Sequence, residues 1–293
     1  MTIDGFGKQG CTIAVFDVVI RIEASDESIL GRVPEAFPPY TQTIQRSVSY
    51  NAAFAIIREG GEYRVLERSI LHPPLGPKVF DTLEQALEAL RGQMEFCISC
   101  QARERVFVHA GAVSLEGVGI VVPGKTMGGK STLVKAIASE GGLLYSDEFA
   151  VFDARGFLYP FPRKLCLRDN NALPLPPAWH HELGLDVGTE PVRVGLVLAV
   201  RYAKEARWEI ESLSPAETVV ELMRNTASAR DNPGGVLRAL KAACDGVVGL
   251  RGHRGETSVA LEKVRGLISL QERENVQGFE RHAEDRQSVR PEL

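Results

Sequence analysis

The stretch "VVPGKTMGGKSTLVK", Val121 to Lys135, decides how this chain is read. Gly124 opens, and Gly129, Lys130 and Ser131 close, a pattern of one glycine, four free positions, then Gly-Lys-Ser. Such a loop holds an anion because consecutive backbone N–H groups turn inward around it, in conformations that glycine reaches cheaply. The lysine adds a point charge for the outer phosphates, and the hydroxyl after it reaches a magnesium ion. The pattern also fits a structural glycine turn, so the flanks decide. "GIVVP" before it reads as a strand, and "KSTLVKAIASE" after it places Leu133, Ala136 and Ile137 on one helical face. The helix start then aims its dipole at the loop. Strand, loop and helix together favour a nucleotide cradle built from Gly124, Lys125, Thr126, Met127, Gly128, Gly129, Lys130, Ser131 and Thr132.

The neighbouring stretches specify the site further. With Glu116-Gly117 as a two-residue hairpin turn, Leu115 faces Val118, Ala110 pairs with Pro123, and His109 falls beside Gly124. A strand histidine is by default a satisfied structural residue; this one is equally placed to tune a carboxylate or touch a phosphate. Downstream, "LLYSDEF" has the length of the next strand and ends in Asp147-Glu148. A carboxylate there orders the magnesium of phosphate-loop proteins. Adjacent acids on a strand point apart, so the pair can divide metal binding from proton acceptance; a charged surface turn is the plain alternative.

Bulk properties bound the partners. The 293 residues are 44% hydrophobic and 25% charged, enough for one large core or two unequal ones. A net charge of -4, with Lys and Arg spread along the chain, gives no electrostatic case for nucleic acid or an anionic membrane. No apolar run nears the roughly 20 residues of a membrane helix, and the N-terminus lacks signal-peptide blocks, so a cytoplasmic protein is expected. Five cysteines in a chain this large read as free thiols. Cys97 and Cys100 form a C-x-x-C, but without a second ligand pair or a helix-start position they read as packed cysteines.

Three segments follow. Residues 1–104 read as a smaller β-rich domain with one long helix, in which Leu83, Ala86, Leu87, Leu90, Met94 and Cys97 form a stripe from Thr82 to about Arg105. Gly60-Gly61 marks a hairpin, while "GRVPEAFPPYTQT" and "LHPPLGPK" read as loops. Residues 105–270 alternate strands and helices. Here "RKLCLR" reads as a short strand, and Ser214, Pro215 and Glu217 sign a helix start. Residues 271–293 are charged and apolar-poor, the composition of a solvated or disordered tail.

From Val106 to Arg168 the chain resembles the HPr kinase/phosphorylase family, and within it the shorter HPr-kinase-like proteins found beside peptide-modification genes. The shared parts are "VHAGAV", the hairpin, "PGKTMGGKST", the helix and "LLYSDEF"; "LYPFPRKLCLR" is similar more loosely. The resemblance implies an α/β fold related to PEP carboxykinase, with a mixed sheet, and phosphoryl transfer from ATP or another nucleoside triphosphate to a serine hydroxyl. Carried over, Lys130 steadies the outer phosphates, Ser131 and Asp147 hold Mg2+, Asp147 and Glu148 supply base and metal ligand, His109 assists the base, and Arg163 is the basic partner. The family includes hexamers, so the resemblance allows a homo-oligomer. The loop departs from the family at Lys125 and Met127, and the family's second signature has no clear copy.

The leading expectation is a serine kinase for a peptide or protein, such as a ribosomally made lasso-type precursor, with the N-terminal domain as a recognition element. A small-molecule kinase and a nucleotide-binding regulatory module without transfer are the alternatives. The paired acids favour catalysis, since a binder needs only one. His180-His181 in "ALPLPPAWHHELG" belongs to a surface loop or an acceptor flap, and the basic, glycine-rich "GLRGHRGE", Gly249 to Glu256, is either an ordinary segment or one that reaches phosphates or an acidic peptide.

Overall fold

The computed structural model describes residues 9–69, 77–124, 128–169, 173 and 175–270. The tail 271–293, most of "LHPPLGPK", and Lys125, Thr126 and Met127 of the loop lie outside the described residues. What is described is a mixed α/β structure with two mixed sheets and six helices. The chain divides into two compact units, Met1–Phe107 with Ala227–Val236, and Val108–Thr226 with Leu237–Leu293.

The first unit holds a six-stranded sheet in the order β3-β1-β2-β4-β5-β6. Its strands are β1 (Gln9–Val15), β2 (Val18–Ala24), β3 (Thr41–Ile44), β4 (Ala52–Glu59), β5 (Glu62–Ser69) and β6 (Lys78–Phe80). The apolar run from Cys11 to Ala24 folds into the β1–β2 hairpin, turning at Phe16-Asp17 with Phe16 at φ +54. Strand alternation decides which face packs: Val18, Ile20, Ile22 and Ala24 are buried while their neighbours are half-buried. Gly60 and Gly61, at φ +62 and +91, make the β4–β5 turn that their sequence announces. The proline-rich segment read wholly as loop is corrected: it contains the end of helix α1 (Glu27–Arg32), a 3-10 turn and β3. Asp26 caps α1 from its side chain, a local signal strong enough to start a helix before the prolines.

Helix α2 (Leu83–Gln101) starts at its Thr82 cap and buries Ala86, Leu87, Leu90, Met94 and Cys97 against this sheet. It ends four residues short of Arg105, because Arg103 and Glu104 turn their backbone N–H groups onto the Asp17 carboxylate. Burial drives the Cys97 thiol up to about 12 and raises Cys100, so neither is a ready thiolate.

The second sheet runs β11-β10-β7-β8-β12-β14-β13, with β9 also on β7. Its strands are β7 (Val106–Leu115), β8 (Val118–Pro123), β9 (Leu143–Ser146), β10 (Phe149–Phe152), β11 (Phe157–Tyr159), β12 (Val192–Tyr202), β13 (Glu209–Leu213) and β14 (Val248–Arg254). β8 runs antiparallel to β7 and parallel to β12, which runs parallel to β14. β11 pairs with both β10 and β12, closing five strands into a ring. One face carries α3 (Lys130–Ser139) and the helix at 257–270, α6, over a core of Val113, Ile120, Leu133, Val134, Leu198 and Val264 among others. Val134 and Ala138 are buried in α3 beside Leu133 and Ile137, whereas Ala136 of the expected stripe is only half-buried. On the opposite face Thr218 of α4 (Pro215–Met223) packs so closely on Gly249 that a Cβ there would run into its Oγ1. The capping box of Ser214 and Glu217 opens α4 as expected, and α5 (Pro233–Ala243) covers the next helical stretch. "RKLCLR" does not form a strand; Leu165 makes an isolated bridge to Ala178 instead.

Candidate functional site

The hairpin turn Glu116-Gly117, at φ +53 and +78, sets the register that follows. Leu115 faces Val118 and Ala110 faces Pro123, so His109 is carried to the end of β8 where Gly124 begins the loop. Every second β7 residue from His109 faces α3. Gly111 lies on that face, where an added Cβ would meet Val134 Cγ2 at 2.5 Å and Lys130 Cβ at 3.9 Å. Glycine there lets α3 lie against β7, which brings the Lys130 end of the helix beside His109.

The loop itself has the conformations its glycines promise. Gly124 stands at φ +151 and Gly129 at φ +80, and Gly129 is the N-cap of α3 with no side chain capping the helix. The N–H groups of the first turn receive no cap from Gly129 and lie at the positive end of the helix dipole. The described loop is fastened through its carbonyls: Gly128 accepts the Tyr202 N–H at 3.1 Å and Gly129 accepts Arg254 Nη2 at 2.8 Å. Lys130 is only 7% exposed, and its ammonium donates to the Gly124 carbonyl at 2.8 Å. Burial lowers its pKa, opposed by the charges of Glu148 and Asp147. Ser131 is half-buried with its hydroxyl toward Asp147, and Thr132 is exposed.

The acids sit at a break in one strand. β9 and β10 both follow β7, interrupted where Ser146 Oγ accepts the N–H groups of Glu148 at 3.3 Å and Phe149 at 3.0 Å. This hydroxyl turn bends the chain at Asp147-Glu148. Beyond the bend the Glu148 carbonyl returns to the Ala110 N–H at 3.0 Å, placing Glu148 next to His109. Glu148 Oε1 lies 3.2 Å from His109 Nε2, with side-chain exposures of 40% and 29%. Burial would raise the Glu148 carboxyl, but the His109 hydrogen bond and the charges of Arg163, His109 and Lys130 outweigh it and hold it low.

Asp147 has the opposite environment. It is 4% exposed, its Oδ2 accepts the Cys166 N–H at 3.2 Å, and Oδ1 has no hydrogen-bond partner among the described residues. Burial raises its pKa; the Ser131 hydroxyl, the Cys166 N–H and the Arg163 charge pull it back in part, and Glu148 adds to the rise. Buried carboxylate oxygens are seldom left without a partner. This one suits a cation shared with Ser131, and a magnesium ion bound by one carboxylate, one hydroxyl, phosphate oxygens and water fits that donor set. Among the described residues no group of three or more His, Cys, Asp or Glu could hold a metal ion, and such a magnesium site requires none.

The structure thus gathers Gly124, Gly128, Gly129, Lys130, Ser131, Asp147, Glu148, His109 and, by its charge on both acids, Arg163. It adds Ser146, which aims the acids, and Arg254 and Tyr202, which hold the loop. Sequence reasoning reached the basic segment 249–256 without separating Arg254 from its neighbours, and nothing near Tyr202 marks it. His180 and His181 belong to a 3-10 turn, His180–Leu183, following the Ala178 bridge to Leu165 and the Lys164–Trp179 stacking at 5.8 Å. A separate cleft of about 750 Å³ lies on the opposite face of β12, β14 and β13; there Arg251 is answered by Glu221 at 3.3 Å and Glu211 at 3.7 Å. Among the described residues no helix is long and apolar enough to cross a membrane. No protein-family model matches this chain, and a search of curated proteins finds no significant match.

Proposed function

We propose that the chain is a nucleotide-dependent serine kinase of the HPr-kinase-like type, transferring the terminal phosphoryl group of ATP to a hydroxyl on a peptide or protein. The observation that carries this reading is the division of labour between adjacent acids. Asp147 is buried beside Ser131 with an oxygen to spare, and Glu148, ionised and half-open to solvent, is paired with His109. A binding module has use for the first acid only.

In this mechanism the α3 N-terminus and the loop glycines hold the phosphate chain, and Lys130 moves from the Gly124 carbonyl to its outer oxygens. Ser131 and Asp147 would hold Mg2+, which when bound neutralises charge on the transferred group. Glu148 accepts the proton of the attacking serine hydroxyl, a role worth typically about 10²–10⁴-fold. His109 orients that carboxylate through Nε2 and keeps it anionic. Arg163 adds positive charge beside both acids.

The test is incubation with γ-labelled ATP and Mg2+ and the serine-containing peptides encoded beside this protein, in parallel with Lys130→Ala and Asp147→Asn. Label in a peptide, lost in both variants, is expected. Nucleotide binding without transfer would overturn the kinase reading in favour of a regulatory module, and label in a free metabolite would move the acceptor to small molecules.

A further inference from the structure

β8 is flanked by β7 on one side and β12 on the other, so the loop that leaves it has two flanks. The β7 flank holds His109, Glu148 and Asp147, where the reacting end of a phosphate chain belongs. The opposite flank is made by the last residues of β12 and β14, Tyr202 and Arg254, which are cross-strand partners. Arg254 is 1% exposed, an unusual place for a guanidinium. Its Nη2 donates to the Gly129 carbonyl at 2.8 Å, and its Nη1 donates to the Gly255 carbonyl at 3.1 Å and the Thr257 hydroxyl at 3.5 Å. Its Cζ lies 5.4 Å from the centre of the Tyr202 ring. Tyr202 is bound to the loop by its own N–H on the Gly128 carbonyl, yet the residue is 45% exposed. Gly129 is the point of contact: a Cβ there would meet Arg254 Nη2 at 2.8 Å and Tyr202 Cβ at 2.9 Å.

An aromatic ring backed by a buried cation, open to solvent and tied to the loop on the side away from the acids, offers a face for stacking. It stands where the non-reacting end of a nucleotide would emerge once its terminal phosphate faces Glu148. We propose that Tyr202 is the platform on which the nucleobase stacks, and that Arg254 is the positioning residue that holds both the ring and the loop. The inference rests on the nucleotide reading above and extends it to the base. The orphaned Oδ1 of Asp147, 4% exposed, is the independent sign that a charged ligand belongs on the other flank.

Two probes separate base from phosphate: ATP and inorganic tripolyphosphate, each titrated with Mg2+ into the full chain by calorimetry. Tyr202→Ala should weaken ATP binding about 5- to 150-fold, the range of a lost base–aromatic stack. It should leave tripolyphosphate binding unchanged, and Tyr202→Phe should restore ATP binding. Arg254→Met should weaken both probes, because the loop loses its post, with the melting temperature recorded to separate this from unfolding. Equal loss of both probes in Tyr202→Ala, or no loss of ATP binding, overturns the platform alone. A wild-type chain that binds neither probe overturns the nucleotide reading and the platform with it.

Discussion

Replacing Asp147 by asparagine should make the protein more stable and abolish its activity at once. The carboxylate is 4% exposed, accepts one N–H from Cys166 and leaves Oδ1 unanswered. A buried polar group without its partner costs about 1–3 kcal/mol, and a charged one more, whereas the amide keeps the Cys166 bond without the charge. A gain of roughly 1–2 kcal/mol corresponds to about 2–8 °C in melting temperature for a unit of this size. The sign follows from proton binding. Because burial holds the folded pKa above its ordinary 3.8, the folded state keeps its proton when the unfolded chain has released it. Stability is therefore lost as pH rises above 3.8 through the folded value. The gap between Asp147→Asn and wild type should open over that window and vanish below it, read by calorimetry or circular dichroism from pH 3 to 8 without Mg2+. Adding Mg2+ and ATP should reverse the order, since a saturating ligand at 100 times its Kd stabilises by about 2.7 kcal/mol and the variant has lost its metal ligand. A variant no more stable at pH 7, or equally stabilised at pH 3 and pH 7, would refute the argument that this charge is stored for a cation.

Four further outcomes follow from the same geometry. Glu148→Gln should cut kcat about 10²–10⁴-fold and leave nucleotide affinity nearly unchanged. Because the Glu148 carboxyl is held below 4.5, wild-type kcat should not fall on its account between pH 8 and 6, while His109→Ala, removing the largest stabilising partner, should shift the acidic limb upward. Gly111→Ala should destabilise by about 1–3 kcal/mol, because the new methyl meets Val134 Cγ2 at 2.5 Å; combined with Val134→Ala the loss should be smaller than the sum of the two, as a double-mutant cycle would show. Ser146→Ala leaves the N–H groups of Glu148 and Phe149 without their shared acceptor and should lower kcat more than it raises the nucleotide KM, since the bend that aims the acids relaxes.

What the sequence made legible was local. The Glu116-Gly117 turn fixed the β7–β8 register by counting, and register carried His109 to the loop without any knowledge of the sheet. The Ser214 box and the Gly60-Gly61 turn were legible for the same reason, each being decided by side chains within four residues. The split between Asp147 and Glu148 followed from strand alternation, but its cause, the Ser146 hydroxyl bending the strand, could not be told from any other serine before an acid. Arg254 was hidden for a different reason: it lies 125 residues from the carbonyl it supports, and only the parallel pairing of β12 with β14 makes it a neighbour of Tyr202. A buried guanidinium is indistinguishable in sequence from an exposed one. Contacts made along the chain thus set up the reacting flank of the loop, and contacts made across the sheet set up the other. Substitutions at His109, Ser146 and Glu148 should therefore act on kcat and those at Tyr202 and Arg254 on nucleotide affinity. A Tyr202→Ala variant that lost kcat at saturating ATP while keeping its affinity would break that division.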